Sequence, residues 1–165
     1  LSSSSAASDV YKRQVIYYKY RRRSVVFDFR KDIAMEFDTN NHSVFMLNYH
    51  LIMCVKYRNN VIDDAISLRL KEIFKNICLN YNISLEEWNH DKDHVHVLFR
   101  GQPNSEISKF INAYKSASSR LIKKEYPEIK KHLWKDMFWS QSYCLISTGG
   151  VTVDIIKEYI QTQGR

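Results

Sequence analysis

Hydrophobic and polar positions alternate with a period of two in two well-marked stretches. From Val44 to Tyr57, the residues Leu47, Tyr49, Leu51, Met53, Val55 and Tyr57 fall on one face, and Asn48, His50, Ile52, Cys54 and Lys56 fall on the other. This is the pattern of a long strand with one side against a core. In Asp91 to Arg100, Val95, Val97 and Phe99 share one face and His94, His96 and Leu98 the other. A shorter strand is predicted from Ile83 to His90, with residues 89–93 as the turn into the His94 strand, and a fourth from Ser142 to Ser147. Two other stretches repeat at helical spacing. Ile66, Leu70, Ile73, Phe74 and Ile77 mark a helix capped by Asp63 or Asp64 and running to about Tyr81. Ile107, Phe110, Ile111, Tyr114, Ala117 and Leu121 mark a second, broken at Tyr126-Pro127. Thr148-Gly149-Gly150 then reads as a hinge before a last helix, Val153 to Gln163, with Thr152 as its N-cap. The order is βαββαβ with a helix appended: an α+β, ferredoxin-like (RRM-like) antiparallel sheet with helices on one face and the other free for ligand.

Composition narrows the class. A chain of 165 residues is long enough for one domain with a sizeable core. Cys54, Cys78 and Cys144 are widely spaced in apolar runs and read as buried thiols of a reducing compartment. No apolar run approaches the roughly 18 residues of a membrane span, and the expectation is a cytoplasmic protein without a membrane partner. Of the net charge of +7, +5 comes from residues 1–34, which carry eight basic residues against three acidic ones. Charge alone is therefore a weak argument for nucleic acid. Leu1 to Gln14 resembles translated sequencing-adapter DNA, and 15–34 reads as upstream translation or as a basic aromatic arm. The expected domain is 35–165, behind a non-native leader at 1–34.

The chemistry lies in three places. His94 and His96, one pleat apart, can grip one ion from the same side and leave positions open for substrate oxygens, although a His-x-His pair is also simply a polar sheet face. His50 joins them as an auxiliary group if its strand pairs beside theirs. On the last helix, Tyr159 and Gln163 are four apart and share a face. A tyrosine hydroxyl can attack phosphorus and keep the bond energy in a phosphotyrosyl ester, with the Gln163 carbonyl as a third metal ligand. Lys56, Tyr57 and Arg58 combine two cations with an aromatic ring, and Lys109, Asn112, Ser116, Ser119 and Lys123 form a basic, small-residue helix surface; Lys56, Tyr57 and Arg58 together with Lys109, Asn112, Lys115 and Ser116 are the candidates for DNA contact. The aromatic segment from Leu133 to Trp139 serves equally as core, subunit interface or base-stacking platform.

Taken in order, these pieces resemble a known family. His94-Val95-His96 looks like the HUH motif, and Tyr159 with Gln163 looks like the nucleophile helix of the single-tyrosine TnpA transposases of the IS-two-hundred/IS-six-hundred-five insertion sequences. The likeness runs from about Asn41 to Gly164 and includes Tyr49-His50-Leu51, Lys56-Tyr57-Arg58, residues 109–116, Trp134-Lys135 and Phe138-Trp139. It implies a metal-dependent enzyme that binds hairpins in single-stranded DNA. Strands would be cut and rejoined through a 5′-phosphotyrosyl intermediate, with Mg²⁺ or Mn²⁺ at His94, His96 and Gln163. It also implies a homodimer whose active site is shared between subunits. The alternatives are a domesticated repeat-associated nuclease, a replication initiator of the same chemistry, or a non-catalytic RRM-like binding module. The last would carry aromatic residues where His94 and His96 stand.

Overall fold

The computed structural model describes residues 38–148 and 161, together with the backbone of 26–28 and 34–36. Residues 1–25, the Gly149-Gly150 hinge, Thr152, Tyr159 and Gln163 lie outside the described residues. The chain divides into two compact units, Leu1–Val44 and Phe45–Arg165. In the first, β1 (Val26–Asp28) pairs antiparallel with β2 (Ala34–Glu36). Next to the two-residue strand β3 (Asp38–Thr39), Asn40 Oδ1 accepts from the backbone N–H of His42 (3.0 Å) and Ser43 (2.7 Å), which closes a tight turn.

The second unit holds the sheet. Its strands are β5 (Leu47–Cys54), β6 (Ser84–His90), β7 (His94–Gly101) and β8 (Cys144–Thr148), in the order β6-β7-β5-β8 with every pair antiparallel. With α1 (Asp64–Cys78) between β5 and β6, and α2 (Ile107–Glu125) between β7 and β8, this is the expected ferredoxin-like arrangement. The strand expected from Val44 is interrupted at Met46, after β4 (Val44–Phe45), and stops at Cys54. Asp63 is the N-cap of α1, its carboxylate accepting from Ile66 N at 2.8 Å.

Both helices cover one face of the sheet, where Leu51, Met53, Val95, Val97 and Phe99 are almost wholly buried, as the alternation required. Phe74 of α1 is the centre of this layer. Its ring meets Trp88 at 5.7 Å, Phe99 at 6.0 Å, and Phe110 and Tyr114 at 5.0 Å. Two indoles are satisfied by helix serines: Trp88 Nε1 donates to Ser67 Oγ at 3.1 Å and Trp139 Nε1 to Ser118 Oγ at 2.9 Å. The inward stripe of α2 runs through Ser118 and Ile122, with Leu121 only half-buried, because the stripe follows the 3.6-residue turn. The cysteines depart from expectation. Cys78 is buried, but Cys54 is half-buried and Cys144 exposed, since Cys144 begins the edge strand β8 on the face away from the helices.

Candidate metal centre and nucleic-acid interface

β7 is an inner strand, hydrogen-bonded by β5 on one side and β6 on the other, so its backbone is held and its alternation is rigid. The face away from the helices can be read in rows. Asn89, His96, Ile52 and Cys144 stand abreast in one; Glu87, Leu98, His50 and Ile146 form the next; His94 stands opposite Cys54. His94 and His96 therefore share a face. Their Nε2 atoms approach to 3.1 Å with the rings 72° apart. His50, one row over, places its Nε2 3.1 Å from His96 Nδ1, as the diagonal neighbours of a sheet can. This face is less open than expected: His50 and His96 are 5% and 4% exposed and Leu98 is sealed.

Behind His94 stands Asp93. Its Oδ1 lies 2.5 Å from His94 Nδ1 and its Oδ2 2.7 Å from Arg58 Nε. A carboxylate only accepts, so His94 Nδ1 is the donor in this bond, and its Nε2 faces His96. A carboxylate behind a histidine is the usual device that orients a metal-binding ring and raises its basicity. Burial raises the Asp93 pKa, but the hydrogen bond and charge of His94 and the charge of Arg58 outweigh it and hold the group below the ordinary aspartate value. Burial, then the charges of His94 and His50, push His96 down to about 4, and burial lowers His50 as well. His96 is thus a neutral ring at physiological pH. Two lone pairs 3.1 Å apart repel unless a proton or a cation sits between them. The cis edge of an octahedron with bonds of about 2.1 Å is about 3.0 Å long, so the separation fits a hard divalent ion.

Asp91, Asp93 and His94 also bring ligand atoms within 4.8 Å of one another. Both Asp93 oxygens are also engaged, by Arg58 and His94, so this group and the paired Nε2 atoms are two candidate positions for an ion, with His94 common to both.

A second feature lies on the helix side. A groove of about 1060 Å³ is lined by Lys56, Lys115, Arg120, Lys123, Lys124 and Lys130, with Asp136 the single acid among the described residues that line it. Lys115 Nζ donates to Gln141 O at 2.7 Å, and Lys123 pairs with Asp136 at 2.9 Å. Of the residues expected to meet DNA, Lys56, Lys115 and Ser116 line this groove. Lys109 is paired with Glu106 at 2.5 Å, and neither it nor the exposed Asn112 reaches the groove. Tyr57 is exposed beside it, whereas Arg58 turns to Asp93. Lys56–Arg58 does not extend the strand but forms a 3-10 turn. Lys123, on the polar helix stripe read from spacing, lines the groove as well, whereas the Arg58–Asp93 tie and the Arg120 and Lys124 lining were not anticipated; only the adjacency of Asp93 to His94 signalled the first.

Tyr159 and Gln163 lie outside the described residues. Gln161, between them, is helical, and its Nε2 donates to Glu87 Oε2 at 3.3 Å. Glu87 belongs to the histidine face.

The family profile described as "Transposase IS200 like" matches residues 43–163. The ISDra2 transposase TnpA of Deinococcus radiodurans is 34% identical over 131 residues, 79% of this chain and 94% of that protein. The transposase for insertion sequence element IS200 of Salmonella typhimurium is 25% identical over 122 residues, 74% and 80% of the two chains. A crystal structure described as a transposase from Deinococcus radiodurans superposes with a TM-score of 0.63 at 32% identity, covering 76% of this chain and 97% of its own. The REP-associated tyrosine transposase, solved bound to a REP hairpin, shares the fold with a TM-score of 0.55 at 10% identity, over 86% of this chain and 68% of its own. With its histidine pair on the inner strand of a ferredoxin-like sheet and this match over most of its length, the chain belongs to the IS200-like transposase family.

Proposed function

We propose that this transposase binds hairpins in single-stranded DNA and moves an insertion sequence by cutting and rejoining strands through a tyrosine. The observation that carries the reading is the pair of Nε2 atoms 3.1 Å apart on one sheet face, with Asp93 fixing the tautomer of His94. With the proton of His96 on Nδ1 and His50 accepting it, both Nε2 lone pairs converge. His94 and His96 then hold Mg²⁺ or Mn²⁺, with the Gln163 carbonyl as third ligand. The bound ion supplies Lewis-acid polarisation of a phosphate oxygen and alignment of the ester.

The Tyr159 oxygen attacks the phosphorus as its proton is released. The bond to the 3′ oxygen breaks, that oxygen takes up a proton and leaves as a 3′-hydroxyl, and the 5′-phosphate stays on the phenol. Attack by another 3′-hydroxyl reverses the step and joins the strands. Lys56, Lys115 and Ser116 in the basic groove meet phosphates. The hairpin in the REP-associated structure belongs to that protein, and at this identity lends only a compatible fold. The active form is a homodimer working in the cytoplasm at the nucleoid; among the described residues, no helix is long and apolar enough to cross a membrane.

The test is incubation of the protein with single-stranded DNA from the element's ends and Mg²⁺. A covalent protein–DNA adduct is expected, lost in Tyr159→Phe with hairpin binding retained. An adduct in that variant refutes the role of Tyr159. Mixing Tyr159→Phe with His96→Ala restores cleavage if subunits share the site and leaves it absent if each subunit closes on its own sheet.

A further inference from the structure

The turn after β5 carries one ring of an aromatic pair for which neither the core nor the phosphoryl transfer has a use. In Lys56–Arg58, Tyr57 and Arg58 stand at φ 58° and 55°, and a second turn holds Lys135 and Asp136 at 46° and 59°, the left-handed region that residues with a Cβ avoid. The first turn is pinned on both sides. Val55 N donates to Asp93 O at 2.8 Å, Lys56 N to Phe138 O at 2.8 Å, and Asn59 Nδ2 to His132 O at 2.7 Å. Together the two turns bring Tyr57 and Trp134 edge to face at 5.3 Å, yet leave them 62% and 40% exposed. Lys56 Nζ lies 4.8 Å from the centre of the Tyr57 ring and 5.8 Å from that of Trp134, and Lys135 Nζ 4.5 Å from the Trp134 ring. Strained backbone that holds two aromatic rings in water is matched by contact with a ligand.

The surroundings specify that ligand. Aromatic faces bordered by ammonium groups suit a flat ring with negative charge beside it, and suit an aliphatic surface poorly. Lys56 also lines the basic groove, so a sugar-phosphate backbone lying there reaches Tyr57. Arg58, the next residue, holds Asp93 and through it His94, which ties this turn to the histidine strand. We propose that Tyr57 and Trp134 are a stacking site for one base of single-stranded DNA next to the phosphate that reacts, with Lys56 and Lys135 pairing with the phosphates that flank it. The inference rests on the strand-transfer reading and adds how the strand is gripped.

The test uses single-stranded oligonucleotides with 2-aminopurine at successive positions, bound to Tyr159→Phe protein so that no cleavage intervenes. One position is expected to be quenched. Tyr57→Ala or Trp134→Ala, each in that background, removes the quenching and weakens binding roughly 5- to 150-fold, while Tyr57→Phe keeps both. The salt dependence stays unchanged in the aromatic variants and falls by about one in Lys56→Ala. Quenching that survives both alanine variants, with affinity within twofold, overturns the stacking site. So does a change of oligomeric state in gel filtration with oligonucleotide binding intact, which makes the patch an interface between copies. If the unsubstituted protein neither binds these strands nor forms an adduct, the strand-transfer reading falls and the stacking site with it. If it does both while the aromatic variants behave like the Tyr159→Phe parent, only the stacking site falls.

Discussion

Asp93→Asn separates orientation of the metal centre from simple packing. The amide keeps the size of the side chain and an acceptor for the His94 Nδ1 proton, but removes the charge that Arg58 pairs with at 2.7 Å and that His94 Nδ1 donates to. Loss of such an outer partner lowers metal affinity about 10- to 100-fold, or ~1.4 to 2.7 kcal/mol. The Arg58 side chain is 64% exposed, so its ion pair contributes no more than about 1 kcal/mol to folding. Asp93→Ala loses the charge-assisted hydrogen bond to His94 as well, worth ~1.5 to 3 kcal/mol. The asparagine variant should therefore bind Mn²⁺ weakly at nearly unchanged melting temperature, and the alanine variant should suffer in both. Mn²⁺ titration by electron paramagnetic resonance, with thermal melts in chelator, measures the two quantities. Affinity within twofold of the parent in Asp93→Asn would mean that β7 alone orients His94. Combined with Arg58→Ala, the cycle should show coupling of at least about 0.5 kcal/mol, since the two side chains touch.

Other expectations concern the frame. Phe74→Ala, which opens a hole among four aromatic rings, should cost ~3 to 5 kcal/mol in urea unfolding; a loss below about 1 kcal/mol would show that the core relaxes around it. Ser118→Ala strands the buried Trp139 indole N–H and should cost ~1 to 3 kcal/mol, whereas a Ser118→Thr variant that folds and keeps the hydroxyl should recover part of that. In metal-free protein, His96 has its pKa lowered to about 4, against 6.5 for the unfolded chain, and His50 is lowered too. As pH falls the unfolded chain takes up protons first, so stability held above about pH 6.5 is lost progressively toward pH 4. A urea midpoint that is flat or rising between pH 6.5 and 4 would contradict this. Cys144 should react with iodoacetamide in the native state while Cys78, buried and pushed up to about 12, reacts only on unfolding; equal labelling rates would refute the assigned burial.

The period-two stretches carried the sheet and the period-3.6 stretches the helices, because burial on one face is a local property of sequence. The same alternation put His94 and His96 on one side without any knowledge of their neighbours. What lay beyond reach depends on pairing between distant segments. His50 comes beside His96 only through the register that sets Ile52 opposite His96. Arg58 reaches Asp93 only because the chain leaves β5 in a left-handed turn, where an extended continuation was expected. The basic groove draws lysines from residues 56, 115–124 and 130, so the helix surface read from spacing named Ser116, Ser119 and Lys123 but not Arg120, Lys124 or, beyond the helix, Lys130. Alternation also cannot reveal what covers a sheet face, and Leu98 and His96 are accordingly more buried than an open ligand face implied.

The central claim is that one divalent ion is held by two imidazole nitrogens of neighbouring residues on β7. Electron spin-echo modulation of bound Mn²⁺, in protein labelled with ¹⁵N-histidine, reads those bonds directly. Two directly bonded histidine nitrogens are predicted in the unsubstituted protein, and one in either His94→Ala or His96→Ala. A spectrum without histidine coupling, or one that neither substitution changes, would contradict the account.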